Sequence, residues 1–425
     1  MLSRVVHGDA WAAALLDAEI ASRPQLAPRD RALATELVYG TLRRFAWLEE
    51  RALAHTRDRR FPDKVTRVEV VLAAYQLLCL ERVPPHAAVD AAVRAVTRAR
   101  GKRLGGFVNA VLRKLAAEGR APEAAARGVR APAWLEASLA AALGEDGASA
   151  MWAASAERAP IAVRCADPAA REEWVGRLAS ALGEENVRRG LVSDLAIVLA
   201  PSGPLTALPG FGAAFSPQDE GSQAVALAVG ARAGEVVLDA CAGRGHKTAI
   251  LARSVLPGGA VDAVDLHDKK LARARDELAL AGLSVRRAVA ADLSVGPGDL
   301  SELYDRVLVD APCTGIGTLR RRPEILLRRR PEDLVALPAL QAKILATALD
   351  RVKPGGRAFY AVCSVLREEA EDVVARVLAA RPDFEAAPFD SAIGERLSGG
   401  GSSLRLLPHV HGTDGYFVAS LRRAR

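Results

Sequence analysis

The sequence predicts an all-helical N-terminal domain, a small α+β module and then an α/β domain on a mainly parallel, doubly wound sheet. Three observations carry this. Across the first 120 residues apolar side chains recur at helical spacing with no strand signal between them. From residue 234 onward short β-branched runs alternate with helical patterns. A glycine-rich turn follows the first of those runs, at the kind of strand end where such sheets bind ligands.

Taken in order, residues 30–44 place apolar side chains at 33, 34, 37, 38 and 42, the stripe of a helix packed on one face. Val65 to Leu80 predicts a second helix, which Pro84-Pro85 breaks. His86 to Arg100 and Phe107 to Leu115 predict a third and a fourth. Residues 129–159 read as a helical linker, with a helix around Trp134 to Leu143. Residues 160–215 read as the α+β lead-in module, with strands Ile161 to Cys165 and Leu195 to Leu199 and a helix near 171–182. The last domain, 216–425, predicts strands Val236–Asp239, Ala260–Asp265, Val285–Ala290, Arg306–Asp310, Arg357–Val362 and Tyr416–Leu421. Glycines 399–401 read as a loop.

Hydrophobic residues make up 50% of the chain and charged residues 26%, a globular balance. No run is long and apolar enough for a bilayer, and the N-terminus lacks the apolar centre of a secretory signal. A cytoplasmic monomer without membrane attachment is expected. The five cysteines are odd in number and none forms a close pair, which argues against disulfides or a structural metal. Cys79 and Cys165 read as small buried hydrophobes. The +7 charge is uneven. Residues 1–120 hold 21 Lys or Arg against 13 Asp or Glu, a net of +8. A basic front joined to a near-neutral remainder suggests a polyanion-binding domain serving a catalytic one.

The turn Asp239-Ala240-Cys241-Ala242-Gly243-Arg244-Gly245-His246-Lys247 combines close backbone approach with free N–H groups at a helix start. Asp265 ends the second strand about twenty residues beyond the glycines, where an acid can hold ribose hydroxyls. Asp292, after the third strand, is placed to accept from an adenine amino group. Asp239 would repel pyrophosphate but suits an ammonium and a sulfonium, which favours S-adenosylmethionine. Asp310-Ala311-Pro312-Cys313 ends one strand and Ala361-Val362-Cys363-Ser364 the next. Two thiols beside a nucleotide-like cofactor suggest covalent chemistry on an electrophilic ring.

Two resemblances follow from these residues. The pattern Asp30-Arg31-x-x-Ala34-x-x-Leu37-x-Tyr39-Gly40, with Phe107-Val108-Asn109-x-Val111-Leu112, resembles the NusB family of RNA-binding helical domains, over residues 1–128. The two cysteine segments resemble the RNA cytosine-5-methyltransferases of the RsmB/Nop/Sun family, whose fold is Rossmann-like. So do Thr314-Gly315-x-Gly317, Arg321-Arg322-Pro323-Glu324-Ile325, Glu368-Glu369-x-Glu371 and His411-Gly412-x-Asp414-Gly415-Tyr416-Phe417. Together they span nearly the whole chain. The combination implies methylation of a cytosine in small-subunit (16S) ribosomal RNA. The alternatives are another RNA, such as tRNA, or a non-catalytic RNA-binding ribosome assembly factor.

The resemblance assigns ring attack to Cys363 and product release to Cys313. Addition of a thiolate at position 6 makes position 5 nucleophilic toward the methyl group. Asp310 would stabilise charge on the ring. Lys247, or a nearby arginine, would activate the thiol. Arg244 and His246 depart from the usual Ala-Pro-Gly-Gly turn of the family, and Val362 stands for its threonine. Arg320, Arg321, Arg322, Arg328, Arg329 and Arg330, just beyond Cys313, suit RNA phosphate contacts. A methyltransferase for exocyclic amines would need a Pro-Pro-aromatic loop after the acid, which Asp310 lacks. A DNA cytosine methyltransferase would lack the second thiol.

Overall fold

The computed structural model describes residues 1–8, 10–122, 129–200 and 203–425. The domain border expected at 128 lies outside the described residues. The chain divides into two compact units. One comprises Met1–Ala137, Glu145–Arg158 and Leu319–Arg329; the other comprises Ser138–Gly144, Ala159–Thr318 and Arg330–Arg425.

The first unit is helical: α1 (Leu2–His7), α2 (Ala12–Ala21), α3 (Pro28–Arg43), α4 (Phe45–Leu53), α5 (Lys64–Cys79), α6 (Pro85–Arg100) and α7 (Lys102–Ala117). The sequence pattern identifies α3, α5, α6 and α7; α1, α2 and α4 are too short for a clear periodicity. Asp63 starts α5 by accepting from Val65 N at 2.9 Å and Thr66 N at 3.1 Å. Phe45, Leu48, Val71, Ala74, Leu78, Val96, Val108, Leu112 and Leu115 form its core. Gly40 belongs there for a steric reason: a Cβ would meet the Tyr75 ring at 2.1 Å. The helix expected near 134–143 continues over Ala133–Ala156, interrupted at Gly144 by φ 74°.

Leu319–Arg329 is the unexpected member of this unit. Glu324, 1% exposed, accepts from Ala12 N at 2.9 Å, and Arg43 donates to the Arg320 carbonyl at 3.0 Å. Arg328 donates to the carbonyls of Val5, Gly8 and Ala10 and lies 4.5 Å above the Trp11 ring.

The second unit begins with an antiparallel sheet, ordered β2 (Val187–Arg189), β3 (Ala196–Leu199), β1 (Ile161–Cys165), β4 (Phe215–Pro217). The helix Arg171–Leu182 covers it, with Trp174 edge-on to Phe215. The main sheet contains β5 (Val236–Asp239), β6 (Ala260–Asp265), β7 (Arg287–Ala290), β8 (Tyr304–Asp310), β9 (Val352–Val362), β10 (Phe384–Ala386), β11 (Ser403–Leu406) and β12 (Tyr416–Arg423). Its order is β10-β12-β9-β8-β5-β6-β7, with β11 on β12. The β5 to β9 pairings are parallel, whereas β10, β11 and β12 pair antiparallel. Tyr360, Val307 and Leu345 fill one face; Phe359, Leu308 and Leu251 fill the other. Strands buried on both faces explain the unbroken apolar runs in the sequence. The chain reverses direction across the sheet between β5 and β8, a switch point whose carboxyl ends form a crevice.

Candidate active site

Asp239 and Asp310 close the two strands that flank this switch point. Register sets Asp310 opposite Ala361, and Ala311 N donates to the Ala361 carbonyl at 2.9 Å. The two chains therefore leave the sheet side by side. Cys313 and Cys363 meet beyond it with their sulfurs 3.1 Å apart. Two glycines secure the approach. Gly317 N donates to the Cys363 carbonyl at 3.0 Å, and Gly415 N to the Gly317 carbonyl at 2.7 Å. A Cβ on Gly317 would meet the Gly415 oxygen at 2.1 Å, so this contact admits only backbone.

Lys247 enters from the first turn of the helix His246–Ser254 and donates to Asp310 at 2.6 Å. Burial disfavours its charge, but Asp310, followed by Cys363 and Asp239, outweighs that and raises its pKa. Lys247 stays an ammonium beside the thiols. Cys313 is pushed up, first by its hydrogen bond with Cys363, then by burial, with Glu369 and Asp310 adding to the effect. Burial pushes Asp239 up to about 6.

The glycine turn fits S-adenosylmethionine in its backbone. Gly243 has φ 58°, and beside its missing Cβ the nearest atom is the Cys241 carbonyl oxygen at 4.0 Å, leaving open space. Gly243 N and His267 N donate to Asp265 at 3.0 and 2.9 Å, fixing an 8% exposed carboxylate at the end of β6. Asp239 is 1% exposed and accepts from Thr248 at 2.7 Å, so it braces the turn from beneath. Ala242 is buried, and burial pushes Cys241 up, which leaves it an inert thiol. Asp292 is exposed and accepts from Ser294 N and its hydroxyl at 2.9 and 2.6 Å.

A family model described as 16S rRNA methyltransferase RsmB/F matches residues 226–422, and a NusB family model matches 2–117. A ribosomal RNA small subunit methyltransferase B of Klebsiella pneumoniae is 33% identical, covering 94% of this chain and 92% of its own. The chain belongs to the RsmB/F methyltransferase family. Its counterpart from Xanthomonas campestris is 33% identical over 93% of this chain and 90% of its own. In fold, the crystal structure of PH0851 superposes with a TM-score of 0.79 at 23% identity, over 95% of this chain and 93% of its own.

Against the usual family turn, Arg244 and His246 have a visible purpose. Both reach Glu277 on the helix Asp268–Leu280, at 3.1 Å each. That clamps the glycine turn to the next helix. Gly245 lies between, where a Cβ would meet Ala274 at 2.8 Å. The arginine run is corrected in part. Arg320 is 5% exposed and Arg328 is enclosed by carbonyls and Trp11, so neither side chain is presented for phosphate. Arg322 and Arg330 are exposed, and Arg321 and Arg329 half-buried.

Sequence reading missed the supports of the site. Arg164 on β1 donates to the His246 carbonyl and to Ser216, both at 3.0 Å, joining the lead-in sheet to the turn. Burial lowers its pKa to about 10. Asp219 caps the helix Glu220–Ala228 through Ser222 N at 3.2 Å and accepts from Asp414 N at 3.3 Å. The run Gln218-Asp219-Glu220-Gly221-Ser222-Gln223, with acids at a helix start, was the available signal. Among the described residues no cluster suits a metal, and no helix is long and apolar enough to cross a membrane.

Proposed function

We propose that this methyltransferase uses S-adenosylmethionine to methylate carbon 5 of a cytosine in small-subunit (16S) ribosomal RNA, through a covalent enzyme–RNA adduct. The observation that carries the reading is the 3.1 Å approach of two thiols beside the Lys247–Asp310 pair. The relatives' shared name supports the choice of RNA. We further propose a cytoplasmic, metal-free monomer.

Cys363, as thiolate, forms a bond from its sulfur to carbon 6 of the ring, with Lys247 supplying the nearby positive charge. The electrons of the 5,6 double bond move to carbon 5 and into the ring, and a proton shared by the Lys247–Asp310 pair steadies the negative charge that develops at the ring nitrogen. When bound, S-adenosylmethionine would supply an electrophilic methyl group for carbon 5, its sulfur–methyl bond breaking with the electron pair left on the departing S-adenosylhomocysteine. Gly243, Gly245 and Asp265 would hold that donor, with Asp292 available to its adenine amino group. Carbon 5 then gives up its proton, which passes through Cys313 to solvent as that thiol releases its own. The double bond reforms, the sulfur–carbon bond breaks, and Cys363 is restored as thiolate. Arg322 and Arg330, both exposed, together with exposed Arg94, Arg98, Lys102 and Arg103 of the helical unit, contact RNA phosphates.

Bisulfite sequencing of ribosomal RNA from cells with and without the gene tests this. One protected cytosine in the small-subunit RNA should vanish with the gene. An unchanged pattern would overturn the substrate.

A further inference from the structure

Cys313 lies on the loop after β8, which a buried carboxylate holds in place. Glu369, 0% exposed, sits in the segment that follows Cys363 and points back at that loop. Its Oε1 accepts from Thr314 N at 2.7 Å and from Gln341 Nε2 at 3.0 Å. The Thr314 hydroxyl donates to Oε2. Gln341 Nε2 also donates to the Pro312 carbonyl at 2.9 Å, so both neighbours of Cys313 are tied to this one group. Tyr360 completes the set, its hydroxyl lying 2.6 Å from the Glu369 carbonyl and 3.1 Å from Gln341 Oε1.

A carboxylate without any solvent exposure is costly unless its lone pairs are filled, and here three donors fill them. Removing it would take the acceptor from the Thr314 N–H and one Gln341 N–H in a dry interior, and would leave the Thr314 hydroxyl with the Ser364 oxygen at 3.3 Å. The backbone on either side of Cys313 would then relax toward other partners. Cys363 has supports of its own, although its neighbour Ser364 shares the 3.3 Å bond with Thr314. Cys363 leaves β9 directly, and the Gly317–Gly415 contact fixes its carbonyl.

We propose that Glu369 is a positioning residue for Cys313: it acts on release of the methylated RNA and not on ring attack by Cys363. The proposal rests on the covalent reading given above. It predicts a phenotype that loss of folding cannot produce, a protein that attacks and methylates once and then stalls. The bonds demand an acceptor of this shape and not a charge. A glutamine can keep its oxygen on Thr314 N and Gln341 and turn its amide toward the Thr314 hydroxyl, which can accept.

The test incubates full-length protein with S-adenosylmethionine and an unmodified small-subunit ribosomal RNA transcript. Adduct is read as a protein–RNA band on a denaturing gel. Glu369→Ala should accumulate the band as Cys313→Ala does. Its multiple turnover should fall about 100-fold, as for a reacting group displaced by about 1 Å, with the first methyl transfer nearly unchanged. Glu369→Gln should turn over within a few-fold of wild type. A folded Glu369→Ala protein that turns over normally, or that loses adduct and product alike, overturns the proposal. If Glu369→Ala does not fold, Thr314→Val removes a single bond to the same carboxylate and should show partial accumulation; wild-type turnover there overturns it equally. A band with Cys313→Ala but with neither of these variants refutes Glu369 alone. No band with any of them refutes the covalent reading itself.

Discussion

Cys363 and Cys313 are 3.1 Å apart, yet their loops are built for opposite tasks. Cys363 continues straight from β9 into the field of the Lys247 ammonium, whose pKa it helps to raise after Asp310. Cys313 follows a proline on a loop gripped through Thr314 and Gln341 by Glu369, and its pKa is pushed well up. Two identical side chains thus acquire different chemistry from what surrounds them. A thiol near an ammonium is suited to attack, and a thiol kept protonated by its bond to that neighbour and by burial is suited to exchanging a proton.

The largest effect should come from removing the ammonium. Lys247→Met should slow adduct formation by about 10²–10³-fold, the usual loss when one charge-stabilising donor is deleted from a site. Measured in a Cys313→Ala background, this isolates attack from release; a fall of less than tenfold would erase the contrast between the loops. Asp265→Ala should weaken S-adenosylmethionine binding by about 1.5–3 kcal/mol, since two hydroxyls lose a charged acceptor. It should leave Cys363 able to attack, and calorimetry showing unchanged affinity would remove Asp265 from the cofactor site.

The smallest effect is on stability. Burial raises Asp239 from 3.8 to about 6, so the folded protein prefers the protonated acid. Stability from this group is greatest below about pH 4, is lost as pH rises through about 6, and stays lower above that. Asp239→Asn should therefore melt higher at pH 8, by about 1–3 kcal/mol, and match wild type near pH 4. Equal stability at pH 8 would mean that the carboxylate beneath the glycine turn carries no such cost.

The site was legible where chemistry lies at strand ends. Asp239, Asp265, Asp310, Cys313 and Cys363 each follow an apolar run, and the topology of a doubly wound sheet brings such ends together. Partners distant in sequence were not legible. Glu277 explains Arg244 and His246 from a helix on the far side of β6. The arginine run looked like one surface because adjacent residues share composition, yet Arg328 completes a helical unit whose carbonyls lie more than 300 residues earlier. Glu369 stood in a recognised acidic run, but nothing local distinguishes a buried carboxylate from a solvated one. The short strands β2, β4, β10 and β11 have three or four residues each, too few to show alternation.

The division of labour between the thiols is tested most directly by trapping the adduct in the two cysteine variants. Cys363→Ala should bind cofactor and RNA but give neither adduct nor product. Cys313→Ala should attack, methylate once and stall, leaving a protein–RNA band that survives denaturing electrophoresis. A band in the Cys363 variant and none in the Cys313 variant would reverse the assignment and contradict the account.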